Sequence, residues 1–192
     1  MRKANVVILA VMSCLTMCGE SVYGQSATGM RHLDETGVSG ISLCAGDARC
    51  PSAEFVMRLT VSLGRWYDVG ETPEGYRRVI PITGGTFEGP KLRGEIMKGG
   101  ADWQLIRGYR TSLEAIYSIK TEDGVYIHIR NKGVAYDGPD ENGESSSYLM
   151  ASPQFEAPAG SRYDWMNNCV FICSLDPSHV KDSIVLNIWK IK

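Results

Sequence analysis

Between Ile82 and Trp103 the chain places six glycines, Gly84, Gly85, Gly89, Gly94, Gly99 and Gly100, between short apolar pieces such as Val79-Ile80 and Leu105-Ile106. Glycine serves where φ must be positive or where two backbones approach closely. Inside strand-like segments it marks the bulges and tight bends of a sheet that curves. The stretch therefore reads as a sharply bent pair of strands that helps close a barrel. It ends in Asp102-Trp103, an acid and a large aromatic behind a double glycine, aimed at the barrel's mouth.

The flanking sequence alternates with the period of strands. Phe55, Met57, Leu59, Val61 and Leu63 are apolar, with mostly polar residues between them, the pattern of a half-buried strand. Residues 69–75 form a turn cluster, and Tyr76–Ile82 is the next strand. Pro81 denies that strand one ladder donor, which suggests an edge or a bulge. Short strands follow at Leu92–Met97 and Asp102–Arg107. Leu113, Ala115, Tyr117 and Ile119 alternate with polar residues. Glu122-Asp123-Gly124 then signals a hairpin into Val125, Ile127 and Ile129. Pro139–Ser147 is a polar loop. Tyr148–Phe155, Val170–Leu175 and Ser183–Ile191 are extended, and Ser161–Asn168 is one helical turn. Eight to ten short strands with regular turns indicate an all-β sandwich or barrel. The kinked glycines favour a small closed antiparallel barrel of up-and-down type.

The first 24 residues read as an address. Arg2 and Lys3 precede an apolar run, Val6–Leu15, too short for the roughly 20 residues of a membrane span. Val22-Tyr23-Gly24 suits cleavage before Gln25, which implies a periplasmic or extracellular protein. A lipoprotein anchored at Cys18 is the alternative. Residues 25–52 form a polar segment with no periodicity, read as a flexible arm. Residues 53–192 are the barrel domain, and no second apolar run reaches membrane length. With 20 Lys and Arg against 22 Asp and Glu, the chain shows no basic stripe for nucleic acid. Cys44 and Cys50 flank a short Gly-containing loop and could bridge in an oxidising compartment. Cys169 and Cys173 read as buried thiols. The three histidines, His32, His128 and His179, stand apart from both cysteine pairs, so no metal site is expected. No cofactor is expected either: Pro90 occupies the lysine position of a phosphate-loop mimic at Gly84–Lys91, and neither a nucleophile elbow nor a dinucleotide fingerprint exists.

Val69-Gly70-Glu71-Thr72-Pro73-Glu74-Gly75-Tyr76-Arg77-Arg78, Gly84-Gly85-Thr86-Phe87-Glu88-Gly89-Pro90 and Gly99-Gly100-Ala101-Asp102-Trp103 resemble the family known as domain of unknown function 3237. Asp123-Gly124, Asn131-Lys132-Gly133 and Tyr163-Asp164-Trp165 fit it too. The likeness runs from about Glu54 to Lys192. It implies a small lipocalin-like (calycin-like) antiparallel barrel, with no general activity established for the family. The export signal and polar arm depart from the family's often cytosolic members.

An eight-stranded barrel is just wide enough to be filled or to hold one small ligand. Asp102 is the candidate acid, base or hydrogen-bond acceptor, or else the cap of the Gly99-Gly100 turn. Trp103 is a candidate wall against a flat ligand, or core. Arg130, on one strand face with Tyr126 and His128, could hold a carboxylate ligand or be solvated. Tyr148 could be a lid hydroxyl or a strand aromatic. Asp164 and Asn167 cap the helical turn or line the mouth. Three functions follow: a barrel that binds an unidentified small molecule at its mouth; a cofactor-free isomerase, cyclase or lyase using Asp102 as acid or base; or a structural or assembly module with a filled barrel. A homo-oligomer is left open.

Overall fold

The computed structural model describes residues 50–192. Ten strands run β1 (Ala53–Leu63), β2 (Tyr67–Thr72), β3 (Gly75–Glu88), β4 (Arg93–Ile96), β5 (Ala101–Arg107), β6 (Arg110–Thr121), β7 (Tyr126–Pro139), β8 (Ser145–Glu156), β9 (Phe171–Pro177) and β10 (Ser183–Ile191). A 3-10 turn, Asp164–Asn168, lies between β8 and β9. Every pairing is antiparallel, and β1 pairs with β10 on one side and β3 on the other. The sheet thus meets itself.

β3 makes the closure. Its first half pairs with β2 through Val79, and its second half pairs with β1 from Ile82 onward. On its other side it pairs with β5 and then β4, which share one strand position between β3 and β6. This gives an eight-stranded barrel with two extra strand pieces. Pro81 lies where β3 changes partner from β2 to β1, so its missing N–H falls in a gap of that ladder.

Two glycines make the curvature possible. A Cβ on Gly85, where φ is +132°, would lie 2.1 Å from the Thr60 carbonyl oxygen on β1. A Cβ on Gly94 would lie 2.1 Å from the Lys120 carbonyl oxygen on β6. Both flanking strands therefore press on backbone where any side chain would stand.

The barrel's two ends differ. At the end holding the β6–β7 turn, Met57, Leu59, Ile119, Ile127, Ile129, Phe171 and Ile188 fill the interior. Phe155 and Phe171 meet edge to face at 4.8 Å. The 157–168 connection closes this end. Tyr163 and Met166 are buried, and the Tyr163 hydroxyl donates to Asp123 Oδ1 in the β6–β7 turn. Burying a side chain such as Phe171 contributes about 2–3 kcal/mol.

Several sequence expectations need adjusting. The 69–75 cluster holds a strand, β2, and its turn is confined to Pro73-Glu74 between Thr72 and Gly75. The Gly84-Gly85 pair bends β3 without ending it, so the strand predicted to stop at Ile82 reaches Glu88. β7 runs well past Arg130 to Pro139, because outward polar residues such as Lys132 conceal its inward phase. Cys173 on β9 is a buried free thiol, whereas Cys169, just ahead of that strand, is a free thiol only half buried. Cys50 is disulfide-bonded, while Cys44 lies outside the described residues, as do the leader and most of the arm.

Gly85→Ala should lower the unfolding free energy by about 3 kcal/mol. Gly143→Ala places a Cβ in open space, at φ +83°, and should cost about 1 kcal/mol. Urea unfolding of both variants measures the difference, and equal losses would show that the β1–β3 contact does not limit closure.

Candidate functional site

Strand alternation decides which side chains enter the barrel. On β5, Asp102 and Gln104 point inward. On β6 the inward set is Thr111, Leu113, Ala115, Tyr117 and Ile119. On β7 it is Ile127, Ile129, Asn131 and Ala135. The upper half of these rows is cut from small residues. Ala115 sits between Asp102 on β5 and Asn131 on β7, paired with both. Ala151 on β8 faces Gly133 on β7. Where the closed half carries Ile and Phe, this half carries Ala and Gly, and the missing volume is a cavity of about 320 Å³. Its walls are largely aliphatic, including Val61, Leu63, Ile82, Leu113 and Leu186. Arg65, Trp66 and Asp182, all exposed, mark its mouth.

Besides the mouth residues, Asp102, Gln104, Thr111, Tyr117, Asn131 and Ser183 bring polar groups to this hollow. Asp102 Oδ2 accepts from Gln104 Nε2 at 2.8 Å, and Asp102 Oδ1 accepts from the Glu114 backbone N–H at 3.1 Å. Burial pushes the Asp102 carboxyl above the usual carboxylate range; those two donors oppose the shift and the nearby Glu114 charge adds to it. Gln104 is 2 %, Asn131 4 % and Tyr117 4 % exposed. Gln104 Oε1, Asn131 Oδ1 and the Tyr117 hydroxyl have no hydrogen-bond partner among the described residues. Asn131 Nδ2 faces the Cys173 Sγ at 4.0 Å. Burial pushes the Tyr117 hydroxyl up, with Cys173 adding to the effect. Burial likewise pushes the Cys173 thiol up to about 12, so it stays a neutral, weak partner. Among the described residues no group of three His, Cys, Asp or Glu side chains comes together to hold a metal ion.

Of the residues singled out from sequence, the structure brings only Asp102 to the cavity. It does not cap the Gly99-Gly100 turn, which closes through backbone bonds between Ile82 and residues 99 and 100. Trp103 points outward, opposite Val79, and is 42 % exposed. It is neither cavity wall nor core, because it is one residue out of phase with Asp102. Arg130 lies on the outer face and pairs with Glu114, as the outward phase of Tyr126 and His128 requires. Tyr148 is 55 % exposed, beside Tyr136 on the outside, while its neighbour Leu149 points in. Asp164 and Asn167 lie at the barrel's opposite end. Asp164 accepts from Gly160 N–H and Asn167 Nδ2, and Asn167 bonds both backbone groups of Ala157. They neither cap the 3-10 turn, whose N-cap is Tyr163 with no side-chain bond, nor line the cavity; they tie the turn to the 157–160 segment.

Sequence reasoning missed Gln104, Asn131 and Tyr117. The signal was present in the phase of the strands. Gln104 follows Asp102 by two residues, and Asn131 continues the inward series Ile127, Ile129. Tyr117 was read only as one more member of an apolar row.

Comparison with known proteins agrees with the fold. A curated protein of the uncharacterised UPF0311 group from Bradyrhizobium diazoefficiens is 32% identical over 149 residues, covering 72% of this chain and 95% of its own length. The crystal structure of a conserved protein of unknown function from Rhodopseudomonas palustris superposes with TM-score 0.66 at 27% identity, over 76% of this chain and 100% of that one. A crystal structure described as a beta-barrel like protein, from Acinetobacter baumannii, gives TM-score 0.66 at 28% identity, over 76% and 99%. Residues 51–191 match the family model described as Protein of unknown function (DUF3237), and the chain belongs to that family.

Proposed function

We propose that the protein is a small-molecule-binding β-barrel whose ligand lies in the cavity of its open half. The observation that carries this reading is the convergence of three unpartnered buried polar atoms and a half-buried carboxyl on one largely apolar hollow. Each such atom left without a partner costs about 1–3 kcal/mol. A barrel serving only as a scaffold would gain stability by replacing them with Leu or Ile, as it has done at its other end. The cavity's volume falls at the lower end of the range used for small ligands, roughly 300–1,000 Å³. We further infer that the protein works outside the cytosol. The apolar leader of residues 1–24 supports this, and so does the disulfide at Cys50, since such bonds persist in oxidising compartments.

A second reading has one observation in its favour. A carboxyl whose pKa burial raises, facing a cavity, is suited to general acid or base work. In this reading Asp102 gives or takes a proton on the bound molecule, Gln104 holds its Oδ2, and the Tyr117 hydroxyl supports developing charge. Loss of turnover in Asp102→Asn with binding retained selects the enzyme; loss of affinity alone selects the binding protein.

Two outcomes follow. Ala115→Phe, which fills the hollow between Asp102 and Asn131, should weaken binding of any small molecule recovered from host cells by about 100-fold; native mass spectrometry of the purified complex reads it. Unaltered recovery would place the ligand elsewhere. The second outcome concerns pH. Because the folded-state pKa of Asp102 is raised, the unfolded chain ionises first as pH rises. The stability this carboxyl contributes is present below the carboxylate range and is lost as pH climbs through the folded pKa. The stability of wild type relative to Asp102→Asn should therefore fall from acid toward neutral pH in denaturant titrations. A difference independent of pH would show that Asp102 is not held in an environment hostile to its charge.

A further inference from the structure

We infer that the ligand is a neutral, mostly apolar small molecule carrying hydrogen-bond donors, hydroxyl groups above all, on the end that it buries. The inference rests on the cavity being a ligand site, and it is read from which atoms are left unpaired. Gln104 donates its Nε2 to Asp102 Oδ2, which fixes the amide's orientation and leaves its carbonyl oxygen as the orphan. Asn131 turns its Nδ2 toward Cys173 and leaves Oδ1. The Tyr117 hydroxyl is the third. The atoms left with no partner are two amide oxygens and one hydroxyl, and the two oxygens call for donors from the ligand.

Charge narrows the class. The deep wall holds no Lys, Arg or His; Arg65 stands at the exposed mouth. An anionic group would meet two carbonyl oxygens and a carboxyl without a counter-charge, a buried ion left unpaired. A cation would have to compete for carboxyl oxygens that already accept from the Gln104 amide and the Glu114 N–H. Among the described residues the only rings that line the cavity are Tyr117 inside and Trp66 at the mouth, too few to cage an ammonium. Hydroxyl donors satisfy the same acceptors with no charge to bury. At the mouth, Trp66 offers an indole ring whose position is held by Arg78, 5.4 Å from the ring centroid and itself bound twice to Asp68. That ring is a lip over which a flat apolar body can pass.

The test is isothermal titration calorimetry of the full chain at neutral pH with four probes on one ring system: dihydroxynaphthalene, methylnaphthalene, naphthoate and naphthylmethylamine. The diol should bind about tenfold more tightly than each of the others. In Asn131→Leu and Gln104→Leu that preference should shrink to about threefold or less, while methylnaphthalene binds no worse. Naphthoate or the amine binding as tightly as the diol overturns the inference but leaves the ligand site standing. So does methylnaphthalene matching the diol in the wild type, or a preference that survives in both variants. If none of the four binds the wild type, while Ala115→Phe unfolds at the same temperature as wild type with and without them, the cavity is not a site. The proposed function then falls together with this inference.

Discussion

The contact on which the architecture depends is the approach of β1 to β3, where Gly85 lies under the Thr60 carbonyl. A sheet of this length, left open, would expose the edges of β1 and β3 as templates for another chain. Closure removes those edges. It also turns one face of every strand toward a confined volume, so each inward residue must be chosen for size as well as polarity. The chain answers in two ways. Near the 157–168 connection it fills the volume with Ile, Leu, Met and Phe. Near the β2 hairpin it places Ala115, Ala135 and Ala151 on adjoining strands, and these small side chains shape the cavity.

That division changes how the buried polar groups should be weighed. In a filled barrel, Asn131 and Gln104 would be errors of design, each leaving an acceptor dry. Beside a cavity they define its chemistry. Proteins hold such unfavourable groups where function needs them and compensate elsewhere. Here the compensation is visible in the closed half, with its dense aliphatic packing, the Phe155–Phe171 contact and the Tyr163–Asp123 bond sealing the end.

The sequence carried the fold further than the site. Period-two alternation marked β1 and all of β6 but its first residues, Arg110–Ser112, the stretch read as extended at Ser183–Ile191 is β10, and the glycine run foretold closure. β2 stayed hidden because Tyr67–Thr72 includes a bulge at Val69-Gly70 and contributes no buried residue. The site was harder. Residues were sought for their chemical reputation: an arginine for a carboxylate, a tryptophan for a ring, an acid near a helical turn. Arg130, Trp103 and Tyr148 each stand one position from an inward neighbour, Asn131, Gln104 and Leu149. In a strand that one position is the whole distance between cavity and solvent.

The same parity argues for Asp102 and Gln104 as one unit. They enter the barrel from a single strand, two residues apart, and the amide of one holds the carboxyl of the other. Across the ladder the Glu114 N–H holds the second carboxyl oxygen, while the Glu114 side chain faces outward to Arg130 and Lys132. The outer ion pairs and the inner carboxyl thus share one backbone segment of β6. Ala115, next along that segment, is small because Asp102 and Asn131 flank it and the space between them is kept. A larger residue there would give the barrel a better core and would separate the Asp102–Gln104 unit from the Asn131 amide with which it faces the cavity.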